Sequence, residues 1–315
     1  MHLILPYAFS TSEGCAAALP SLQLPHLHKL LAGMHRQAPD SGDVSSLSPP
    51  HERAQARALG MPVHDGQIAW AALQASQRPE LAAQGKGWAF VSLCHWRINT
   101  HHVAMSHLPL PDLTLADSNA LMAAMQPYFE EDGMALHPDQ PGRWLVQGDV
   151  FATLATASPD RVVGGDIKPW MPTSTQAAPL RRLQNEMQML LYTHPVNDAR
   201  SARGLPPVNS FWLSGSGALP IGHQPPPASA HATVPDTLRR AALAQDWHAW
   251  TRAWHDLDAN QLRALLQAQN KGQPVQVTLC GERHAQCWQS QAQPVWRRIV
   301  SVFGSRSTSQ LLEKL

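Results

Sequence analysis

The chain has 315 residues, 43% hydrophobic and only 15% charged, with 24 Lys plus Arg against 23 Asp plus Glu. That length and apolar content call for a sizeable core and exclude a chain disordered throughout. A net charge of +1 removes the electrostatic case for a nucleic-acid binder and for a polybasic membrane anchor.

No apolar run reaches the length of a membrane span. The start, Met1 to Pro6, lacks a basic region ahead of its apolar run, which Pro6 interrupts, so a cytoplasmic location is expected. Cys15 and Cys94 are isolated, and Cys280 and Cys287 are too widely spaced for a zinc knuckle. All four read as buried small hydrophobes.

In chain order, residues 2–6 read as a first strand and 40–50 as a loop. Amphipathic helices are expected at 51–59 and 67–77, and a strand at Trp88–Cys94. A helix follows at 117–131, with Asp117 or Ser118 as its cap and Gly133 after its end. Leu121, Met125, Tyr128 and Phe129 share one face, and Pro127 predicts a kink. Strands are expected at 143–147 and 149–155, and a helix at 178–192. Phe211–Leu213 reads as a short strand entering Ser214-Gly215-Ser216-Gly217. The Pro-rich stretch 220–236 reads as a linker or surface loop. Helices are expected at 237–255 and 259–269, the second opened by Asp258 with Gln261. A strand at 275–280 and an apolar patch at Val295–Phe303 complete the chain. Strands alternating with helices argue α/β.

Chemistry concentrates in 185–217. His194, Asn197, Arg200 and Asn209 can fix a small anion, with Arg supplying a planar, permanently charged fork. Gly215 and Gly217 let backbone approach a ligand. The competing reading is a helix end whose His and Asn satisfy carbonyls before a structural turn. His95, His101, His102 and His107 suggest a transition metal, but their spacing fits no standard site and solvated loop histidines explain them. Trp247, Trp250 and Trp254 mark one helix face, either core or partner-binding.

The run His194-Pro195-Val196-Asn197, Arg200, Gly204, then Pro206 to Gly217 resembles a segment of the archaeal-type cofactor-independent phosphoglycerate mutases. Leu183 to Leu191 is similar to a bacterial family of RpfE-type regulatory proteins. The resemblance implies a mixed sheet flanked by helices, with a degenerate alkaline phosphatase-like core from 1–84 and 237–315. It also implies a mutase-like inserted segment over 85–219. Mutases of that kind use two divalent metals, Mn or Mg, but the expected ligand motifs are missing. Leu3-Ile4-Leu5 leads into Pro6-Tyr7-Ala8 without a carboxylate, and Arg283 separates Glu282 from His284.

The resemblance therefore implies a non-catalytic cytoplasmic regulatory protein, without cofactor, that binds a phosphorylated small metabolite. Its expected ligand residues are His194, Asn197, Arg200, Asn209, Trp212, Gly215 and Gly217, with Arg97 and His102 facing them. The alternatives are an active metal-dependent mutase or phosphatase, built on Glu282 and His284, and a protein-interaction module using the Trp stripe.

Overall fold

The computed structural model describes residues 1–227, 231–290 and Leu312; the patch Val295–Phe303 lies outside them. The chain is a mixed α/β protein and divides into two units, Met1–Gly60 with Pro225–Leu315, and Met61–Gln224. Residues 61–84, grouped by sequence with the N-terminal part, fall in the second unit.

The first unit carries the mixed sheet. His2–Leu5 pairs in parallel with Gln276–Cys280, which pairs antiparallel with His284–Ser290. Met34–Arg36 and Asp40–Ser41 also pair with that last strand. Leu3, Ile4 and Leu5 are all buried, because helices cover both faces. Leu3, Leu5, Val277, Leu279 and Trp288 join Leu27, Leu30, Trp250 and Trp254 in one cluster. Ile4 and Cys280 face Ala54, on the helix Pro50–Ala58, from the other side. Thr233 closes the free edge of the first strand, accepting from Ile4 at 2.9 Å and donating to His2 at 2.8 Å. An edge so paired offers no template to a second chain.

The helix expected at 237–255 is two, Thr237–Leu243 and Trp247–Leu257. Gln245 breaks it with a positive φ of 55°, and Asp246 caps the second piece through the Ala249 amide. Trp250 and Trp254 are fully buried. The Trp250 indole donates to the Tyr7 carbonyl, and the ring of Trp247 fills the space a side chain at Gly14 would need. The Trp stripe is therefore spent largely in the core. Asp258 does not open its own helix as expected. It is buried and accepts from the amides of His26 and Leu27, at the start of the helix Pro25–Ala32.

The second unit holds an antiparallel sheet in the order Ala135–Gln140, Arg143–Gln147, Gly87–Cys94, Ser210–Ala218. The helices Leu115–Glu131 and Ala178–Tyr192 cover one face, burying Leu121, Met125, Phe129, Leu183 and Met187 against Val91, Trp144 and Phe211. Leu115–Glu131 starts two residues before the expected point. Thr114 is the cap, and Asp117 completes a reciprocal capping box three residues on. Pro127 sits inside this helix.

The strand expected at 149–155 is instead a short 3-10 turn, Asp149–Ala152. Gly87 passes so close beneath it that a Cβ there would stand 2.4 Å from the Ala152 nitrogen. The expected short strand at 211–213 runs on through both glycines to Ala218. Gly215 (φ 62°) and Gly217 (φ 145°) let it press against Trp70 and Ala69.

Candidate functional site

Three segments of the second unit meet around residues 194–209. The first is the turn and helix from His194 to Ala202, the second the base of the hairpin formed by Trp96–Ile98 and Val103–Met105, and the third the loop through Pro111. His194 caps the helix Pro195–Ala202, its Nδ1 accepting the Val196 amide at 3.2 Å. Asn197 is buried and bonds only to backbone. Its Nδ2 donates to the carbonyls of Leu191 and Val208, and its Oδ1 accepts the Val208 amide, each at 2.7 Å. Asn209 grips Trp96 in the same way, accepting its amide at 2.7 Å and donating to its carbonyl at 2.9 Å. Trp212 lies buried in the sheet with its indole donating to Ala157.

Arg200 differs from these neighbours. It is only 1% exposed, yet makes no ion pair among the described residues. Its Nε donates to Pro206 at 2.9 Å and one Nη to Pro111 at 3.0 Å. Its Nη1 is buried without a partner. Burial pulls the guanidinium below its ordinary pKa; Asp117 and Asp112 oppose that pull, and Arg203 adds to it. Asp112 and Arg203 form a loose, exposed pair at 3.7 Å.

His95, which the sequence reading gave no part in ligand binding, belongs here. Its Nδ1 lies 2.8 Å from the Pro207 carbonyl and donates to it. Its pKa is depressed chiefly by burial; the Pro207 bond opposes this, while Arg97 and Arg200 add to the depression. Arg97 and Arg200 thus form one region of positive potential, which His95 senses. The sequence marks His95 only as one of a histidine cluster, because its bond to Pro207 reaches across 112 residues.

His102 stands at the exposed hairpin tip and lines a separate open hollow with His101, Asp166 and Lys168. Gly215 and Gly217 lie within their strand. The structure therefore gathers His194, Asn197, Arg200 and Asn209 with Arg97 nearby, and sets His102, Gly215 and Gly217 in other surroundings.

In the first unit, the parallel strands His2–Leu5 and Gln276–Cys280 end side by side, a place where open α/β sheets take ligands. Glu282 follows the second strand. It accepts from the Ser10 hydroxyl at 2.8 Å and from the Thr11 hydroxyl at 2.7 Å. One carboxylate with two hydroxyls does not fit a two-metal centre, which requires several anionic ligands. Among the described residues, no group of three or more His, Cys, Asp or Glu could hold a metal ion. No described helix is long and apolar enough to cross a membrane.

No protein-family model matches the chain, and no curated protein matches it. Among solved structures it aligns with the cofactor-independent phosphoglycerate mutase from Thermoplasma acidophilum at 12% identity and a TM-score of 0.37, covering 100% of this chain and 99% of that one. It also aligns with the PH0037 protein from Pyrococcus horikoshii at 12% identity and a TM-score of 0.44, covering 92% and 87%. These are distant likenesses of fold, and no residue role passes through them.

Proposed function

We propose that this chain binds a small phosphorylated acid without transforming it, the anion meeting the guanidinium of Arg200. One observation carries the reading: a buried Arg200 bonded to two carbonyls, with Nη1 unpartnered and no carboxylate in contact among the described residues. A cation withdrawn from water costs several kcal/mol unless a counter-charge compensates it. Carbonyl dipoles compensate in part, and a phosphate or carboxylate matches the remaining N–H in charge and geometry. Arg97 adds a guanidinium and positive potential at the same place. Asn197, Asn209 and His194 hold the surrounding backbone in position.

The donor set supports the non-catalytic part of the reading. Phosphoryl transfer on two metals needs charge neutralisation and an activated nucleophile, and Glu282 is already engaged by Ser10 and Thr11. A ligand held but not consumed suits the regulatory role that the resemblance implies.

The test is calorimetric titration of phosphoglycerate into wild type, Arg97→Ala and Arg200→Lys, with a melting curve for each. Arg200→Ala is unsuitable, since it also breaks the bonds to Pro206 and Pro111. Wild type is expected to bind in the micromolar range. Arg97→Ala should weaken binding about fivefold with an unchanged melting temperature, and Arg200→Lys by about tenfold or more, because the fork is lost. No heat of binding at millimolar ligand overturns the proposal. Mutase turnover in Mn²⁺ or Mg²⁺ overturns its non-catalytic part.

A further inference from the structure

The hollow at the hairpin tip is separate in its chemistry from the Arg200 region. Its walls are fixed by backbone. Asn99 donates to the His102 carbonyl at 2.9 Å, closing the tip, and Ile167 donates to Val103 at 2.9 Å. Gly164 donates to Met105, also at 2.9 Å. Bridges Ala104–Asp166 and Met105–Val163 continue the pairing. The open hollow has a volume of about 430 Å³, within the roughly 300–1,000 Å³ of small-ligand sites.

The lining carries both signs of charge. Asp166 Oδ1 accepts the Lys168 amide at 3.2 Å, which orients the carboxylate that lines the hollow. Neither Asp166 nor Lys168 forms an ion pair among the described residues. The Asn99 amide lies 3.2 Å from His102 Nε2. Donation by Asn99 Nδ2 places the imidazole proton on Nδ1, where it is free to donate. Val103, Ile167 and Met171 supply an apolar wall.

A carboxylate acceptor, an ammonium donor, an imidazole N–H and an apolar wall are complementary to a zwitterion with an aliphatic side chain. We infer that this hollow binds a free aliphatic α-amino acid. The ligand ammonium meets Asp166, its carboxylate meets Lys168 and His102, and its side chain lies on Val103, Ile167 and Met171. A simple anion would be repelled by Asp166, and a simple cation by Lys168. The mixed lining thus selects a ligand bearing both charges. The inference is independent of the Arg200 reading and shares none of its contact residues.

The experiment is calorimetric titration of the full chain with leucine, N-acetylleucine and leucinamide. Leucine is expected to bind, and each derivative, lacking one charge, at least about tenfold more weakly. Asp166→Asn keeps the acceptor for the Lys168 amide, so the turn survives; it should abolish the preference for leucine over N-acetylleucine. Lys168→Met should abolish the preference over leucinamide. Circular dichroism confirms that both variants fold. Absence of leucine binding up to roughly 10 mM, or equal binding of leucine and N-acetylleucine by wild type, overturns the inference.

Discussion

Replacing Asp258 tests how the first unit is held together. The helix Pro25–Ala32 has Leu24 at its N-cap position, a residue with no side chain able to cap it. The carboxylate of Asp258, 232 residues beyond His26, fills that place. It accepts the His26 amide at 3.2 Å, the Leu27 amide at 2.8 Å and His26 Nδ1 at 2.8 Å. Asp258→Ala strands the buried Leu27 amide, at a cost of about 1–3 kcal/mol. It also removes a cap worth about 1 kcal/mol. Water recovers part of the His26 loss, because that side chain is 31% exposed. The expected destabilisation is about 2–4 kcal/mol, a large share of the roughly 5–15 kcal/mol holding a domain. Asp258→Asn keeps one acceptor for Leu27 and should cost about half as much. Urea unfolding followed by tryptophan fluorescence reports it, since Trp250 and Trp254 lie in the same cluster as Leu27. A midpoint for Asp258→Ala within about 0.5 kcal/mol of wild type would refute the capping role. So would an Asn variant as damaged as the Ala variant.

Three further changes follow from specific contacts. Asn209→Ala removes both bonds to Trp96 and should cost about 1–3 kcal/mol; hydrogen exchange at 96–105 should accelerate, and unchanged protection there counts against the pinning role. Gly87→Ala places a Cβ 2.4 Å from the Ala152 nitrogen and 2.5 Å from the Gly148 oxygen, so soluble yield should collapse, and a near-native melting temperature would show that the turn yields. Burial, with the N-terminal ammonium, lowers the His2 imidazole from 6.5 to about 4. The unfolded chain therefore takes up this proton first as pH falls. Stability is full above 6.5 and declines toward 4, by up to roughly 3 kcal/mol. His2→Gln should flatten that decline, and an unaltered pH profile would refute the assignment.

The elements legible in the sequence were those whose burial writes a clear period. The helix Ala178–Tyr192 and the strand Gly87–Cys94 are buried on a whole face or on both, and their apolar spacing shows it. The strands Ala135–Gln140 and His284–Ser290 were missed for the opposite reason. The first is an edge strand containing Pro138 and is mostly solvated. The second mixes His, Gln, Cys and Ser, and its place comes from pairing with Gln276–Cys280. The turn at Asp149–Ala152 was misread because Val150, Phe151 and Leu154 are apolar at strand-like density; they fill a core corner instead. The helix break at Gln245 carries no Gly or Pro to announce it.

The polar run at 194–209 could not be resolved from sequence, because ligand sites and chain junctions draw on the same residues. Asn grips a backbone as readily as it grips a ligand. What separates the two uses is whether the donors are already engaged. Both N–H groups of the Asn197 amide are taken by carbonyls, and Asn209 has one on Trp96. Arg200 has five N–H donors and, among the described residues, finds only the carbonyls of Pro206 and Pro111. Pro111 lies 89 residues upstream, so its availability is a property of the fold. The same geometry explains why the cation is tolerated: two carbonyl dipoles hold it in place and leave one edge of the fork uncommitted. A purely structural Arg would be better served by a third carbonyl or a carboxylate at that edge. If Arg200 serves the junction alone, filling the edge with an internal acid should stabilise the chain and change no binding. If it serves an anion, the same acid should stabilise the chain and abolish phosphoglycerate binding.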